Sequence, residues 1–156
     1  MLELILLRHA HAGASGPDQS DIDRALSLTG EAEAEAAAAW LKTHRARPQR
    51  VLCSPSTRTR QTLERVLAKI EYSDTRYEPA IYEATAGDLM GLLDAHKDAD
   101  QVLVVGHNPG IETLVALLAT GQSGEFRGMP PAGIAWLELG GEIEPGAGSL
   151  KAFWSP

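Results

Sequence analysis

The segment LLRHAHA, residues 6–12, sets Arg8, His9 and His11 at the end of an otherwise aliphatic run formed by Leu2, Leu4, Ile5, Leu6 and Leu7. Three groups able to carry positive charge crowd there, at a cost in repulsion and desolvation that an anion would relieve. A neutral imidazole is also a nucleophile, and the planar fork of arginine matches phosphate oxygens. Similar residue types recur as Ser54 and Arg58 in SPSTRTRQT, Glu83 in YEATAGD, and His107 with Asn108 in VVGHNPG. A lone Arg-His pair at a strand end is ordinarily a solvated terminus, so the recurrence carries the weight. Other polar residues have simpler roles. His44 and His96 lie near expected helix C-termini, where imidazolium is favourable, and Asp88 suits an N-terminal cap. Arg60 and Arg65 belong on an exposed helix face, and Cys53, beside Val51 and Leu52, belongs in the core.

Positioning these groups requires alternating strands and helices. The aliphatic run 2–7 reads as a buried strand, followed by a Gly, Ser, Pro and Asp-rich functional loop from Gly13 to Asp23. A helix capped by Ser27 or Thr29 follows, with Ala32, Ala36 and Trp40 expected on its inner face. RVLCSP reads as a short strand entering a second helix, with Ser54 as cap, Pro55 at the first helical position, and Leu63, Val66, Leu67 and Ile70 inward. A third extended stretch is expected from Tyr77 to Tyr82, ending at Glu83, and Thr85 with Asp88 forms a capping-box signature. A β-branched strand then leads to a helix capped by Asn108, with Pro109 first, Ile111, Leu114, Val115 and Leu118 on one side, and Gly121 at its end. Two C-terminal strands joined by a Gly-rich loop suggest a hairpin at the sheet edge.

Such alternation implies a three-layer α/β sandwich with a mostly parallel central sheet and helices on both faces. Ligands of these sheets bind beyond the carboxyl ends of the strands. Arg8, His9, His11, Ser54, Arg58, Glu83, His107 and Asn108 all follow strands, so they converge on that edge. Capped helix N-termini there also favour anions. Phosphate is the expected ligand.

Composition narrows the alternatives. At 156 residues the chain reads as a single domain, 1–156, able to bury a core without disulfides or metals. One cysteine and the absence of a signal-peptide pattern lead to a reducing, cytoplasmic expectation. No apolar stretch has the length of a bilayer span, which argues against a membrane role. The net charge of −7 argues against nucleic acid as a partner, which would call for a basic face.

The four motifs LRHAHA, SPSTRTRQT, YEATAGD and VVGHNPG resemble, in order and approximate spacing, those of the histidine phosphatase superfamily, and the short chain resembles its SixA-type phosphohistidine phosphatase branch. The resemblance runs from Leu4 to about Leu118. It implies a phosphoglycerate mutase-like fold and a covalent phosphohistidine at His9, with Arg8, Arg58 and His107 enclosing the phosphate. Ala10 stands where many members have glycine, and His11 falls at a variable position. Glu83 would be either a general acid or a carboxylate that orients an arginine, with His11, Ser54 and Asn108 peripheral. The chemistry agrees with the resemblance. Neighbouring guanidiniums keep His9 neutral and stabilise charge on the phosphoryl oxygens.

The implied activity is a phosphatase using neither metal nor cofactor. Its substrate is expected to be phosphohistidine on a partner protein, with a small phosphomonoester as the alternative. The first loop, the Glu83 region and FRGMPPAG, residues 126–133, are expected to shape the rest of the pocket. Two other classes share part of this pattern. HAH resembles the H-x-H metal pair of amidohydrolase barrels, but such a barrel needs roughly 200 residues or more. A non-catalytic phosphate-binding module would not need His9 beside two arginines and His107.

Overall fold

The computed structural model describes residues 1–124 and 128–156. Strands β1 (Leu2–Arg8), β2 (Arg50–Cys53), β3 (Asp74–Tyr77) and β4 (Gln101–Gly106) run parallel, β5 (Ile134–Leu139) pairs antiparallel with β1, and β6 (Gly148–Trp154) pairs antiparallel with β5 at the sheet edge. The sheet order is β3-β2-β4-β1-β5-β6. The unbroken aliphatic run of β1 fits a strand near the middle of the sheet, because both of its faces meet helices.

Helices α1 (Leu28–Thr43) and α2 (Thr57–Leu67) cover one face, and α3 (Ala86–Asp94) and α4 (Gly110–Thr120) cover the other. Strand alternation divides the core between them. Leu4 and Leu6 face Leu89 and Leu114, whereas Ile5 and Leu7 face Ala37, Leu41 and Leu63. The expected three-layer α/β sandwich is therefore present.

Several local expectations hold. Ser27 caps α1, Thr85 and Asp88 form a reciprocal capping box, and Gly121 ends α4 at φ 82°. Others are corrected. The buried face of α1 is Gly30, Ala34, Ala37, Ala38 and Leu41, while Ala32 is exposed and Ala36 and Trp40 are half-buried. A helix this rich in alanine has little apolar contrast, and its rotation is set by Gly30, which packs directly on the His11 carbonyl.

Helix α2 is capped by Ser56, which accepts from the Thr59 amide, because the Ser54 side chain is bonded to His107. Helix α4 begins after Pro109, and Asn108 still accepts from the Glu112 amide, at 3.2 Å. Strand β3 ends at Tyr77 and does not run on to Tyr82: Pro79, which has no amide hydrogen for a ladder, opens a 3-10 turn over Pro79–Ile81. Phe126 and Arg127, within the expected pocket-shaping segment, lie outside the described residues.

Candidate active site

Strand β1 delivers Arg8 and His9 to the carboxyl edge. Arg8 lies in register with Gly106 at the end of β4, and the His9 amide donates to the Gly106 carbonyl at 3.0 Å. The next residue, Ala10, is fully buried, and its amide donates to Thr62 Oγ1 of α2 at 3.0 Å. Glycine is unnecessary there in this chain because the Ala10 methyl is accommodated in the α1 and α2 core.

His9 Nδ1 lies 2.7 Å from the Ala10 carbonyl. A carbonyl only accepts, so Nδ1 carries the hydrogen and the lone pair sits on Nε2. Burial, reinforced by the charges of Arg58 and Arg8, lowers the His9 pKa to about 4 despite that carbonyl. His9 is thus neutral near pH 7, in the tautomer that leaves Nε2 free.

The His107 ring lies 5.3 Å from that of His9, centroid to centroid. Its Nε2 is 2.8 Å from Ser54 Oγ, and its Nδ1 is 3.4 Å from Arg58 Nη2. Guanidinium only donates, so Nδ1 holds the lone pair and Nε2 donates to the serine. Burial first, then His9 and Arg58, push the His107 pKa down to about 3.

Arg58 leaves the first turn of α2 and is 5% exposed. Its Nη1 donates to the Asp21 carbonyl at 2.8 Å and its Nη2 to Asp21 Oδ2 at 3.0 Å. Arg8 Nη1 donates to the Met129 carbonyl at 2.8 Å, and Asn108 Nδ2 donates to the same oxygen at 2.9 Å. The Nε atoms of Arg8 and Arg58 are buried without a hydrogen-bond partner among the described residues. Buried charged donors left unpaired are expensive, and an anion would satisfy them.

A cavity of about 280 Å³ gathers Arg8, His9, Arg24, Arg58, His107 and Asn108. A second, of about 360 Å³, adjoins it across Arg58, His107 and Asn108 and takes in Asp21, Tyr82 and Glu83. A larger cavity, of about 560 Å³, lies at the opposite strand ends around Glu3, Arg47 and Gln101 and contains none of these histidines.

The structure therefore brings together Arg8, His9, Arg58 and His107. His11 lines the first cavity, but its ring is held by Ser27 Oγ at 2.7 Å, which ties the chain to the α1 cap. Ser54 is wholly buried behind His107 and lines neither cavity, so it orients that ring from behind. Glu83 is exposed at φ 60° on the rim of the second cavity, and its carboxylate makes no hydrogen bond or ion pair among the described residues. Burial pushes the Cys53 thiol up to about 12, which leaves it inert in the core.

Three residues were not singled out from sequence. Asp21 accepts from Tyr82 Oη at 2.6 Å and from Arg24 Nε at 2.9 Å, as well as from Arg58. Tyr82 and Arg58 hold the Asp21 carboxyl down at about 2. Asp21 lies in the loop read as functional and Arg24 directly follows it, but nothing in the sequence marks the short 3-10 turn over Asp21–Asp23 that sets which way they point. Tyr82 sat within the stretch read as a strand.

The profile of the Histidine phosphatase superfamily (branch 1) matches residues 4–99. Phosphohistidine phosphatase SixA of Escherichia coli is 31% identical over 128 residues, covering 78% of this chain and 77% of that protein. A solved structure of the protein histidine phosphatase SixA complexed with tungstate superposes with a TM-score of 0.84 at 30% identity, covering 99% of this chain and 97% of that one. A structure from Agrobacterium tumefaciens, provisionally assigned as a SixA phosphohistidine phosphatase, gives a TM-score of 0.85 at 32% identity and covers 99% and 98% of the two chains. The matched segment runs from β1 through α3 and so holds the Arg8-His9 pair and Arg58: the chain belongs to the histidine phosphatase superfamily and is a phosphatase.

Proposed function

We propose that this chain, acting as one domain over residues 1–156, removes the phosphoryl group from phosphohistidine on a partner protein through a covalent adduct at His9. The observation that carries the reading is the state of His9. Its Nδ1 hydrogen is committed to the Ala10 carbonyl, and its Nε2 lone pair is available beside Arg8, Arg58 and His107. Similarity to SixA proteins, one of them complexed with tungstate, supports an oxyanion in this cavity.

In the first step the Nε2 lone pair forms a bond to phosphorus, and the bond from phosphorus to the substrate nitrogen breaks. That electron pair returns to the departing imidazole, which leaves neutral if its other ring nitrogen kept its hydrogen and otherwise takes a proton from solvent. Arg8 and Arg58 stabilise charge on the transferring oxygens, and His107 packs against the same group. Water then attacks phosphorus, the pair returns to Nε2, and inorganic phosphate leaves with His9 restored. Division into two transfers makes each easier. Imidazole leaves phosphorus more readily than an alkoxide, so Glu83, exposed and unpaired on the rim, is dispensable for this substrate.

Quenching under neutral or alkaline conditions with labelled substrate should trap an adduct that is alkali-stable and acid-labile. His9→Ala should abolish turnover, and EDTA should leave it intact. Wild-type turnover in His9→Ala, or loss of activity in EDTA, refutes the mechanism. A second reading rests on the place of Glu83 beside the cavity shared with His107: a general acid there would serve small phosphomonoesters. Comparing Glu83→Gln on a phosphohistidine protein and on an alkyl phosphate separates the two. The protein substrate should lose little, and efficient alkyl ester hydrolysis with phosphohistidine untouched would establish the second reading.

A further inference from the structure

The two adjoining cavities differ in charge. Among the described residues, Arg8, Arg24 and Arg58 line the first with no carboxylate, whereas the charged groups of the second are Asp21, Glu83 and the shared Arg58. The carboxylate of Asp21 is half-exposed, 53% for its side chain, while the Arg58 side chain beneath it is 6% exposed. Tyr82 and Arg24 join Arg58 in fixing that carboxylate in place. Its negative charge is therefore a permanent fixture of the second cavity.

Phosphoryl transfer runs roughly in line, so the leaving group departs on the side away from the attacking nitrogen. A phosphoryl group held by the three guanidiniums beside His9 has the second cavity as its neighbour across Arg58 and His107. From this we infer that Asp21 is a specificity-determining residue: the second cavity receives the leaving group, and the Asp21 carboxylate favours one that is cationic or proton-bearing, such as imidazolium, over one that carries a carboxylate or second phosphate. The inference rests on the phosphoryl-transfer reading of the first cavity and narrows its substrate class. It selects against acidic metabolites by repulsion as much as it selects for a basic ring by attraction. With Asp21 neutralised, Arg24 and Arg58 would dominate the cavity mouth and reverse the preference.

The test uses three phenyl phosphates bearing trimethylammonium, methyl or carboxylate at the para position, with kcat/KM measured for wild type and Asp21→Asn. Taking the ratio of the two enzymes on each ester cancels the intrinsic reactivity of the ester. Asp21→Asn should lose about tenfold on the cationic ester relative to the anionic one, the size expected of a partly screened charge pair. An equal loss on all three esters would mean that Asp21 only props Arg58, and would overturn the inference. Wild type alone supplies a second measurement that does not depend on the variant folding. Relative to uncatalysed hydrolysis, it should accelerate the cationic ester about tenfold more than the anionic one, and equal acceleration also overturns the inference. A phosphohistidine peptide assayed in parallel keeps the two readings apart. If the peptide is ignored while the charge series holds, the phosphohistidine reading fails and the role of Asp21 stands; the converse result leaves phosphohistidine hydrolysis and removes Asp21 from specificity.

Discussion

Arg8 and Arg58 each enter the site with a buried Nε that has no partner among the described residues, whereas Arg60, two residues along α2, lies exposed over the Tyr77 ring and donates to the Pro55 carbonyl. Arg8→Ala or Arg58→Ala should therefore cost about 3 kcal/mol or more of transition-state stabilisation, more than a hundredfold in kcat/KM, while Arg60→Ala stays within a few-fold. Equal small losses at the three positions would place the phosphate elsewhere. The histidines offer a check without turnover. Nitrogen NMR should find His9 protonated at Nδ1 and His107 at Nε2, both neutral from pH 8 to pH 5, since their pKa values lie near 4 and 3. Titration of either ring near pH 6.5 would contradict the site as described. Arg8, His9, Arg58 and His107 were legible in sequence because each follows a strand within a short motif. Asp21 and Tyr82 were not, because they meet only when an irregular loop folds back over α2, a contact of residues 61 apart with no periodicity to betray it.

The elements are held at their angles by close backbone approaches at two glycines. Gly30 in α1 packs on the His11 carbonyl, and Gly110 at the start of α4 packs on the Ala84 carbonyl. A methyl group at either position would meet backbone, which cannot rotate away as a side chain can. Gly30→Ala and Gly110→Ala should each destabilise the fold by about 2 kcal/mol or more in denaturant titrations, beyond the small gain alanine gives in an open helix. Gly91→Ala in α3 faces open space and should stabilise slightly, so it serves as the comparison. Element type was readable from caps and apolar spacing, as Ser27, Thr85 with Asp88 and Gly121 show. Rotation and exact starts were not. The alanines of α1 look alike from every side, and Ser54 and Ser56 are equally good caps until His107 claims the first.

At the scale of the whole molecule, the sheet separates two apolar layers and sets every functional strand end on one edge. The alternation of elements foretold the layers, but the order β3-β2-β4-β1-β5-β6 depends on long-range pairing that local patterns do not encode. Burying two neutral histidines at that edge has a stability consequence. An unfolded chain binds protons on them below about pH 6.5, whereas the folded chain does so only near 4 and 3. Between those values the unfolded state holds more protons, so stability falls as pH falls. The pair should account for about 2 kcal/mol lost between pH 7 and pH 5, after allowance for solvent at the cavity mouth. Denaturant titrations at the two pH values check this, and His107→Asn should flatten the difference. On the α1 face of the sheet, Trp40 stacks on Trp154 at 5.7 Å and meets Trp136 edge-on at 6.3 Å, so that all 3 tryptophans of the chain pack where α1 lies against β5 and β6. None of them lines either cavity of the site. Indole emission should accordingly stay level when an anion fills the first cavity, and the coupled near-ultraviolet ellipticity of three close rings should collapse as soon as the C-terminal hairpin parts from α1. The molecule thus carries a built-in optical gauge of its own assembly that is blind to its substrate.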